Sequence, residues 1–243
     1  RYYFHDESLA PQEDAPFGNI WFWDAEAMRL TPEEVGREYF NELMAMRCCE
    51  WSLKSEEQFG LAIGLWLASF FKAEATGLPM PEYFGETHAP AAVYAMTAGP
   101  EYLHQALARA ISAKEAAVAL GAVEALATTA GERSLMYTLG PAQPLLAALS
   151  FPDRAVRYSA AIAIANAGPR ASFNEKGLVV ENLAEALGQT NQQAAAAAGQ
   201  WSPDLADEYA VRAAEAMLKF AVSRNPVIDL SLGQSALVAA TKD

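Results

Sequence analysis

Apolar residues recur every three or four positions along most of the chain, which is the spacing of one helix face. Residues 1–30 instead mix aromatic residues with proline and glycine, and we predict an irregular lead-in there. Thr31-Pro32-Glu33-Glu34 combines a capping hydroxyl, a proline and a glutamate, so a first helix is predicted from Thr31 to near Leu53. Ser55-Glu56-Glu57-Gln58 repeats this pattern and predicts a second helix that ends near Gly77.

A proline-rich segment follows the two predicted helices and predicts a connector, since it contains Pro79, Pro81, Gly85 and Pro90. A short helix is predicted over residues 90–98. Residues 1–99 therefore make up the first predicted region, which consists of the lead-in, a helical hairpin and the connector.

From residue 100 the sequence repeats itself with a period of 38 residues. Ile111, Leu149 and Leu187 occupy equivalent positions, and each is the last large apolar residue of a predicted helix. The match continues into the next helix of the first two units, where the equivalent pairs are Val118 and Val156, Ala122 and Ala160, Ala125 and Ala163, Leu126 and Ile164, and Ala127 and Ala165.

The repeat units are predicted at residues 100–131, 141–168 and 175–224, with a half-repeat at 229–243. The third unit is interrupted near residues 189–202, where about fifteen residues are inserted relative to the period. Because a half-repeat would expose an apolar face, we expect the native protein to continue beyond it.

Stacking follows from the repetition, since a single helical hairpin cannot bury its own apolar stripe. No stretch shows the strict alternation that is typical of a half-buried strand. The sequence therefore predicts an all-α, right-handed superhelix of about nine to eleven helices with essentially no β-sheet.

The excess of acidic over basic residues disfavours nucleic acids and anionic lipids as partners. With 30 acidic and 17 basic residues, the net charge of −13 repels phosphate backbones and anionic lipid headgroups and favours a neutral or basic partner. The most apolar run, residues 59–71, is too short to cross a bilayer, so no membrane span is expected. No signal-peptide pattern is present in this stretch of chain, and the compartment stays open.

Few side chains suggest catalysis or metal binding. Cys48 and Cys49 are adjacent in a predicted helix, where they cannot pair, and we interpret them as small buried apolar residues. His5, His88 and His104 lack ligand spacing, and no phosphate loop or nucleophile elbow occurs, so neither a metal nor a cofactor is expected.

Acidic residues and aromatic residues each have both a structural and a functional interpretation. Three acidic groups resemble catalytic pairs, but their predicted place in the first turns of helices favours a helix-dipole role; they are Glu33-Glu34, Glu56-Glu57, and Asp204, Asp207 and Glu208. Aromatic residues could line a docking groove, although packing in the core is the favoured interpretation; the candidates are Trp21, Trp23, Trp51 and Trp66, together with Phe70.

The segment Pro144 to Leu149, followed by Asp153, Val156-Arg157 and residues 160–165, resembles the HEAT-repeat pattern. The resemblance implies that Asp153 and Arg157 take part in hydrogen-bonded ladders between units, whereas the preceding unit has Glu115 and Ala119 at those places. The first predicted hairpin, with Ala45-Met46-Arg47, Trp51-Ser52-Leu53 and residues 62–66, resembles a TPR-type helical pair. Together these features resemble large bacterial HEAT-repeat proteins of unsettled function, in which a receiver-like domain can interrupt the third unit; the stretch 191–199 would mark its absence here.

These observations predict a non-catalytic scaffold or adaptor that binds a protein or peptide through a HEAT-repeat surface. The alternative is a HEAT-like lyase-type enzyme or accessory that handles a cofactor on a client protein. That alternative requires Cys48, His88 and His104 to converge. DNA binding through the concave side would require a strongly basic face, which the overall charge disfavours.

Overall fold

The computed structural model describes residues 1–9, 11, 15–79, 88–129, 131–189, 202–235 and 238. Within these residues the protein is mostly helical, with ten α-helices and one two-stranded sheet. Contacts divide the chain into two compact units, residues 1–122 and 123–243. None of the described helices is both long and apolar enough to cross a membrane.

The first unit contains a β-hairpin that the sequence analysis did not predict. Strand β1 (Phe17–Asp24) pairs antiparallel with β2 (Arg29–Gly36), so the expectation of essentially no sheet and an irregular lead-in is wrong here. β1 is rich in aromatic side chains, which favour strands. The predicted helix start at Thr31 is wrong as well, because Thr31 pairs with Phe22 in the sheet. Pro32 also lies in β2, and proline is tolerated there because an edge strand can hold a residue that has no N–H to donate.

Two long helices follow the hairpin and pack against each other. Helix α1 (Arg37–Ser55) begins six residues after the predicted start, and α2 (Gly60–Ala75) begins after a short turn. Ser55 is therefore the last residue of α1 and not the cap of α2. The helix-dipole interpretation of two acidic pairs is wrong for the same reason, since Glu33-Glu34 lie in β2 and Glu56-Glu57 lie between the helices.

The next three helices are α3 (Ala91–Ala98), α4 (Pro100–Ala113) and α5 (Ala116–Thr129). Pro90 precedes the first turn of α3, which confirms the predicted short helix. Helices α2 and α4 approach closely at Gly64, where an added Cβ would lie 2.8 Å from the Cβ of Gln105. The glycine is thus required by the distance between the two helices.

The second unit contains α6 (Glu132–Leu135), α7 (Pro144–Ala148), α8 (Arg154–Ala167), α9 (Lys176–Leu187) and α10 (Pro203–Ser223). Helices α8, α9 and α10 pack against one another. Their core is made of fully or almost fully buried side chains, among them Tyr158, Ile164, Leu183, Tyr209 and Phe220.

Three ends of these helices are closed by local caps. The Asp153 carboxylate accepts hydrogen bonds from the amides of Ala155 and Val156, and Gly168 ends α8 with a φ of 62°. Ser202 caps α10 in the same way, through the amide of Leu205. Asp229 caps a short 3-10 turn, Leu230–Gly233, where the half-repeat was predicted. Residues 236, 237 and 239–243 of that predicted half-repeat and the alanine-rich stretch 190–201 lie outside the described residues.

The 38-residue period reappears in the structure. Helices α5 and α8 have 14 residues each, and their first residues are 38 apart. Most of the predicted equivalent pairs are buried in both helices, including Val118 with Val156 and Leu126 with Ile164. Ala127 is the exception, because it is exposed whereas Ala165 is buried. The equivalence of α5 and α8 is thus observed, whereas the repeat units and their continuation as a superhelix stay predictions.

Candidate functional site

The β-hairpin exposes its most apolar side chains to solvent. Trp21 lies opposite Pro32 and Trp23 opposite Leu30, so these four side chains share the side of the sheet that faces away from α1. Trp21, Trp23 and Leu30 are 52%, 59% and 57% exposed. We call this group of Trp21, Trp23, Leu30 and Pro32 the aromatic face. Contiguous exposed apolar side chains of this size typically mark an interaction site.

The opposite side of the hairpin packs on α1. Ile20 and Val35 are buried there, and Gly18 lies so close to α1 that an added Cβ would meet the Phe40 ring at 2.4 Å. A larger residue than glycine would therefore push the strand away from the helix. The packing leaves one side of a two-stranded sheet covered by α1 and the other side open.

Arg47 of α1 attaches the hairpin to the helix. Its guanidinium lies 3.8 Å from the centre of the Phe22 ring, and its Nη2 donates a hydrogen bond to the carbonyl oxygen of Trp21. The same guanidinium lies 5.0 Å from the ring centre of Trp51, which is itself half exposed. The backbone that carries the aromatic face is therefore fixed to α1 by a side-chain hydrogen bond as well as by apolar packing.

The turn of the hairpin is also locally ordered. The Asp24 carboxylate accepts hydrogen bonds from the amides of Glu26 and Ala27, at 3.0 and 2.9 Å. Met28 has a φ of 51°, in the left-handed region, and its side chain is exposed. These contacts hold the ends of β1 and β2 in register, which keeps the side chains of the aromatic face in a defined arrangement.

A small cleft lies between the hairpin and α1. Its volume is about 180 Å³, and its apolar lining includes Ile20, Val35, Leu43 and Met46. The remaining lining residues are Phe22, Arg47, and the exposed glutamates Glu33 and Glu50. Small-molecule sites usually occupy about 300–1,000 Å³, so this cleft is sized for a single side chain rather than for a metabolite.

The four tryptophans proposed from the sequence separate into two groups. Trp21, Trp23 and Trp51 are at least half exposed, which contradicts the favoured interpretation that they pack in the core. Trp66 instead packs edge-on against Phe70 and Tyr94, and its Nε1 donates to Glu50 at 3.2 Å. Leu30 and Phe22 were not predicted as surface residues, because their positions follow from a strand pairing that the sequence analysis missed.

The repeat-structural residues have distinct environments. Leu149, Val156 and Leu187 are buried, whereas Ile111 is half-buried. Asp153 caps its own helix through backbone amides. These hydrogen bonds lie at the start of α8, and the ladder role of this aspartate between units stays a prediction.

Arg157 connects three parts of the second unit. It donates to the carbonyl oxygens of Phe151 and Pro152, to Oδ1 of Asn182 at 3.1 Å, and to both carboxylate oxygens of Glu185 at 3.1 and 3.2 Å. Asn182 and Glu185 belong to α9. Arg157 thus joins α8 to α9 and to the turn before α8, in the manner expected of a residue that locks neighbouring helices together.

The first unit contains a buried charge cluster. Glu42 is 1% exposed, and one of its carboxylate oxygens contacts the His5 ring nitrogen and lies 3.8 Å from Lys72 Nζ. Lys72 also pairs with Glu115 at 2.9 Å and donates to the carbonyl oxygen of Tyr3. The lysine lies between two carboxylates, and its contacts attach the first residues of the chain to α1 and α2.

The residues required for a lyase-type enzyme occupy different environments. His104 is fully buried in α4, and His88 packs beside the rings of Phe70 and Tyr94. Burial raises the pKa of the Cys48 thiol and raises that of Cys49 to about 12. A raised thiol pKa leaves little thiolate at neutral pH, which makes either cysteine a weak nucleophile.

Metal-binding groups of three or more histidine, cysteine, aspartate or glutamate side chains do not occur among the described residues. Comparison with known proteins gives no family: no family model matches the chain, and neither a curated protein nor a solved structure matches it. The assignment of a role therefore depends on the geometry described above.

Proposed function

We propose that this protein is a non-catalytic scaffold or adaptor that binds a protein or peptide partner, and that the aromatic face is its main docking surface. The observation that carries the proposal is the exposure of Trp21, Trp23 and Leu30, each more than half in solvent on an ordered hairpin. Tryptophan in particular is enriched among the residues that dominate binding energy at interfaces.

A partner that covers the aromatic face would gain binding free energy from the apolar area removed from water. Fully burying one large apolar side chain contributes about 1.5–3 kcal/mol, so covering the three most exposed residues of the aromatic face would contribute several kcal/mol. Part of that gain offsets the cost of association. The ordered turn and the attachment through Arg47 reduce the conformational entropy that the hairpin would lose on binding.

The helical units complete the proposal. We propose that α4 with α5 and α7 with α8 are HEAT-type hairpins of a superhelical stack, and that the stack presents additional contacts to the same partner. The equal length and 38-residue offset of α5 and α8, with buried equivalent residues, support this interpretation.

Affinity purification with two matched variants tests the role of the aromatic face. Trp21→Ser/Trp23→Ser removes its two largest side chains, whereas Leu218→Ser/Val222→Ser removes two apolar side chains of α10 that are even more exposed. Each partner that is recovered should then be purified, and its affinity measured by calorimetry. We expect the tryptophan variant to bind about tenfold or more weakly and the α10 variant to bind normally.

Two results would contradict the proposal. Equal affinity of the wild-type chain and the Trp21→Ser/Trp23→Ser variant would show that the aromatic face is not the docking surface. Turnover of a substrate by the purified chain would show that the protein is an enzyme. Circular dichroism of each variant controls for loss of the fold.

A further inference from the structure

We infer that the partner of the aromatic face is a polypeptide segment in which lysine or arginine residues flank an apolar stretch. This inference rests on the proposed function, because it specifies the chemistry of the partner at the same surface. The charges of the hairpin, the cleft behind it and the charge of the whole chain all favour such a segment.

The hairpin carries more acidic than basic side chains. Residues 17–36 contain one basic residue, Arg29, and four acidic residues, which are Asp24, Glu26, Glu33 and Glu34. The Asp24 carboxylate already accepts hydrogen bonds from the turn. Glu33 and Glu34 are exposed and form no salt bridge within the described part of the chain, so both are available to a basic partner.

Glu33 and Glu34 point to opposite sides of the sheet. Glu34 shares the side of the aromatic face, whereas Glu33 lines the cleft between the hairpin and α1. A segment that crosses the edge of β2 would therefore meet a carboxylate on each side. Its apolar side chains would contact Trp23 and Leu30, and its basic side chains would reach the two glutamates.

The cleft itself is suited to one long basic side chain. Ile20, Val35 and Met46 offer an apolar lining for the aliphatic part of lysine or arginine, and Glu33 and Glu50 offer carboxylates for its charged end. Arg47 also lines the cleft, but its guanidinium is engaged with the Phe22 ring and the Trp21 carbonyl oxygen. The lining therefore carries two carboxylates and one cation that already has protein contacts.

The charge of the chain disfavours the other occupants. A second copy would place the same acidic hairpin against itself, and both chains would carry a net charge of −13. An anionic membrane would be repelled for the same reason. A basic polypeptide is attracted by both the local and the overall charge, and this attraction should accelerate association at low salt.

A peptide selection with the full chain tests this inference. Twelve-residue random peptides would be selected for binding to the wild-type chain, and the affinities of the enriched sequences would be measured by fluorescence anisotropy. We expect enriched peptides to combine apolar residues with lysine or arginine. Their affinity should fall as salt is raised from 50 to 500 mM because exposed charge pairs are screened.

Charge-neutralising variants provide the matched control. Glu33→Gln/Glu34→Gln should weaken binding about threefold to tenfold and reduce its salt dependence, since each exposed ion pair contributes modestly. Glu181→Gln/Glu215→Gln neutralises two exposed glutamates of the second unit and should leave the affinity unchanged. Thermal unfolding of all variants checks that the fold is retained.

The outcomes separate this inference from the proposed function. Enrichment of acidic or uncharged peptides, or an unchanged affinity of Glu33→Gln/Glu34→Gln, would overturn the inference; the proposed function would stand if Trp21→Ser/Trp23→Ser still abolished binding. If no peptide is enriched and the chain instead partitions into phosphatidylcholine vesicles through its tryptophans, both proposals are wrong. If no peptide is enriched and no vesicle binding occurs, the inference is wrong as well.

Discussion

Replacement of Arg157 by alanine should substantially destabilise the second unit. The Arg157 side chain is 21% exposed and contacts the turn before α8 as well as two residues of α9. Asn182 is 5% exposed, and its amide nitrogen already donates to the carbonyl oxygens of Leu149 and Leu178. Removing Arg157 therefore leaves the buried Oδ1 of Asn182 without its charged donor.

The magnitude is dominated by the buried acceptor. A buried polar atom that loses its hydrogen-bond partner costs about 1–3 kcal/mol. The pair with Glu185 is partly exposed on both sides and contributes at most about 1 kcal/mol after solvent screening. The bonds to the carbonyl oxygens of Phe151 and Pro152 are lost as well. In total, we expect Arg157→Ala to lower the free energy of unfolding by about 3 kcal/mol.

Hydrogen exchange measures this loss at the helices concerned. Amides of α8 and α9 that exchange through global opening of the unit should exchange about 100-fold faster in Arg157→Ala. Arg157→Lys keeps the positive charge but cannot reach all of these acceptors with a planar fork of donors, so most of the loss should persist. Glu185→Gln should change exchange less than tenfold. If Glu185→Gln destabilised the unit as much as Arg157→Ala, the ion pair and not the buried acceptor would be the main contribution.

Two further predictions concern the first unit and glycine packing. Gly121→Ala should lower the free energy of unfolding by about 1–3 kcal/mol, because an added Cβ would meet the Phe71 ring at 2.5 Å. Gly177→Ala should raise it by about 0.5–1 kcal/mol, because an added Cβ there meets nothing closer than Glu181 Oε1 at 4.0 Å. Urea unfolding of both variants measures the difference. Burial raises the pKa of the Tyr3 phenol and raises that of the Cys49 thiol to about 12. Both groups bind protons more tightly in the folded state, so their stabilising effect is complete below pH 9 and is lost as the pH rises toward 12. An unfolding free energy that did not decrease between pH 9 and pH 11 would contradict this.

Helices α8 and α10 of the second unit could be predicted because their signals are local. Asp153 and Ser202 each precede a helix and cap it through amides two or three residues later, so the sequence alone contains both partners. The alanine-lined face of α8 is visible at helical spacing, and its equivalent in α5 lies 38 residues earlier. Each of these features depends on residues within one helix or on a repeated pattern.

The hairpin could not be predicted from the same kind of signal. Thr31, Pro32 and Glu34 match the start of a helix as well as they match a strand, and the pairing with Trp21 and Phe22 decides between the two. That pairing joins residues about ten positions apart and is stabilised by α1, through contacts such as that of Arg47 with Phe22. The aromatic face was missed as a surface for this reason, although its tryptophans were recognised as candidates.

The open side of the hairpin is a consequence of its topology. A two-stranded sheet is marginally stable by itself, so the hairpin depends on α1 to cover its inner side. Among the described residues no third strand joins the sheet, and the large side chains of its outer side are more than half exposed. The solvent-exposed side of an antiparallel sheet usually carries polar residues, yet Trp21, Trp23 and Leu30 occupy it here. Because α1 fixes the backbone beneath these side chains, the packing of Ile20 and Val35 on α1 determines their arrangement. Under the proposed function, helix and hairpin would therefore bind a partner as one element.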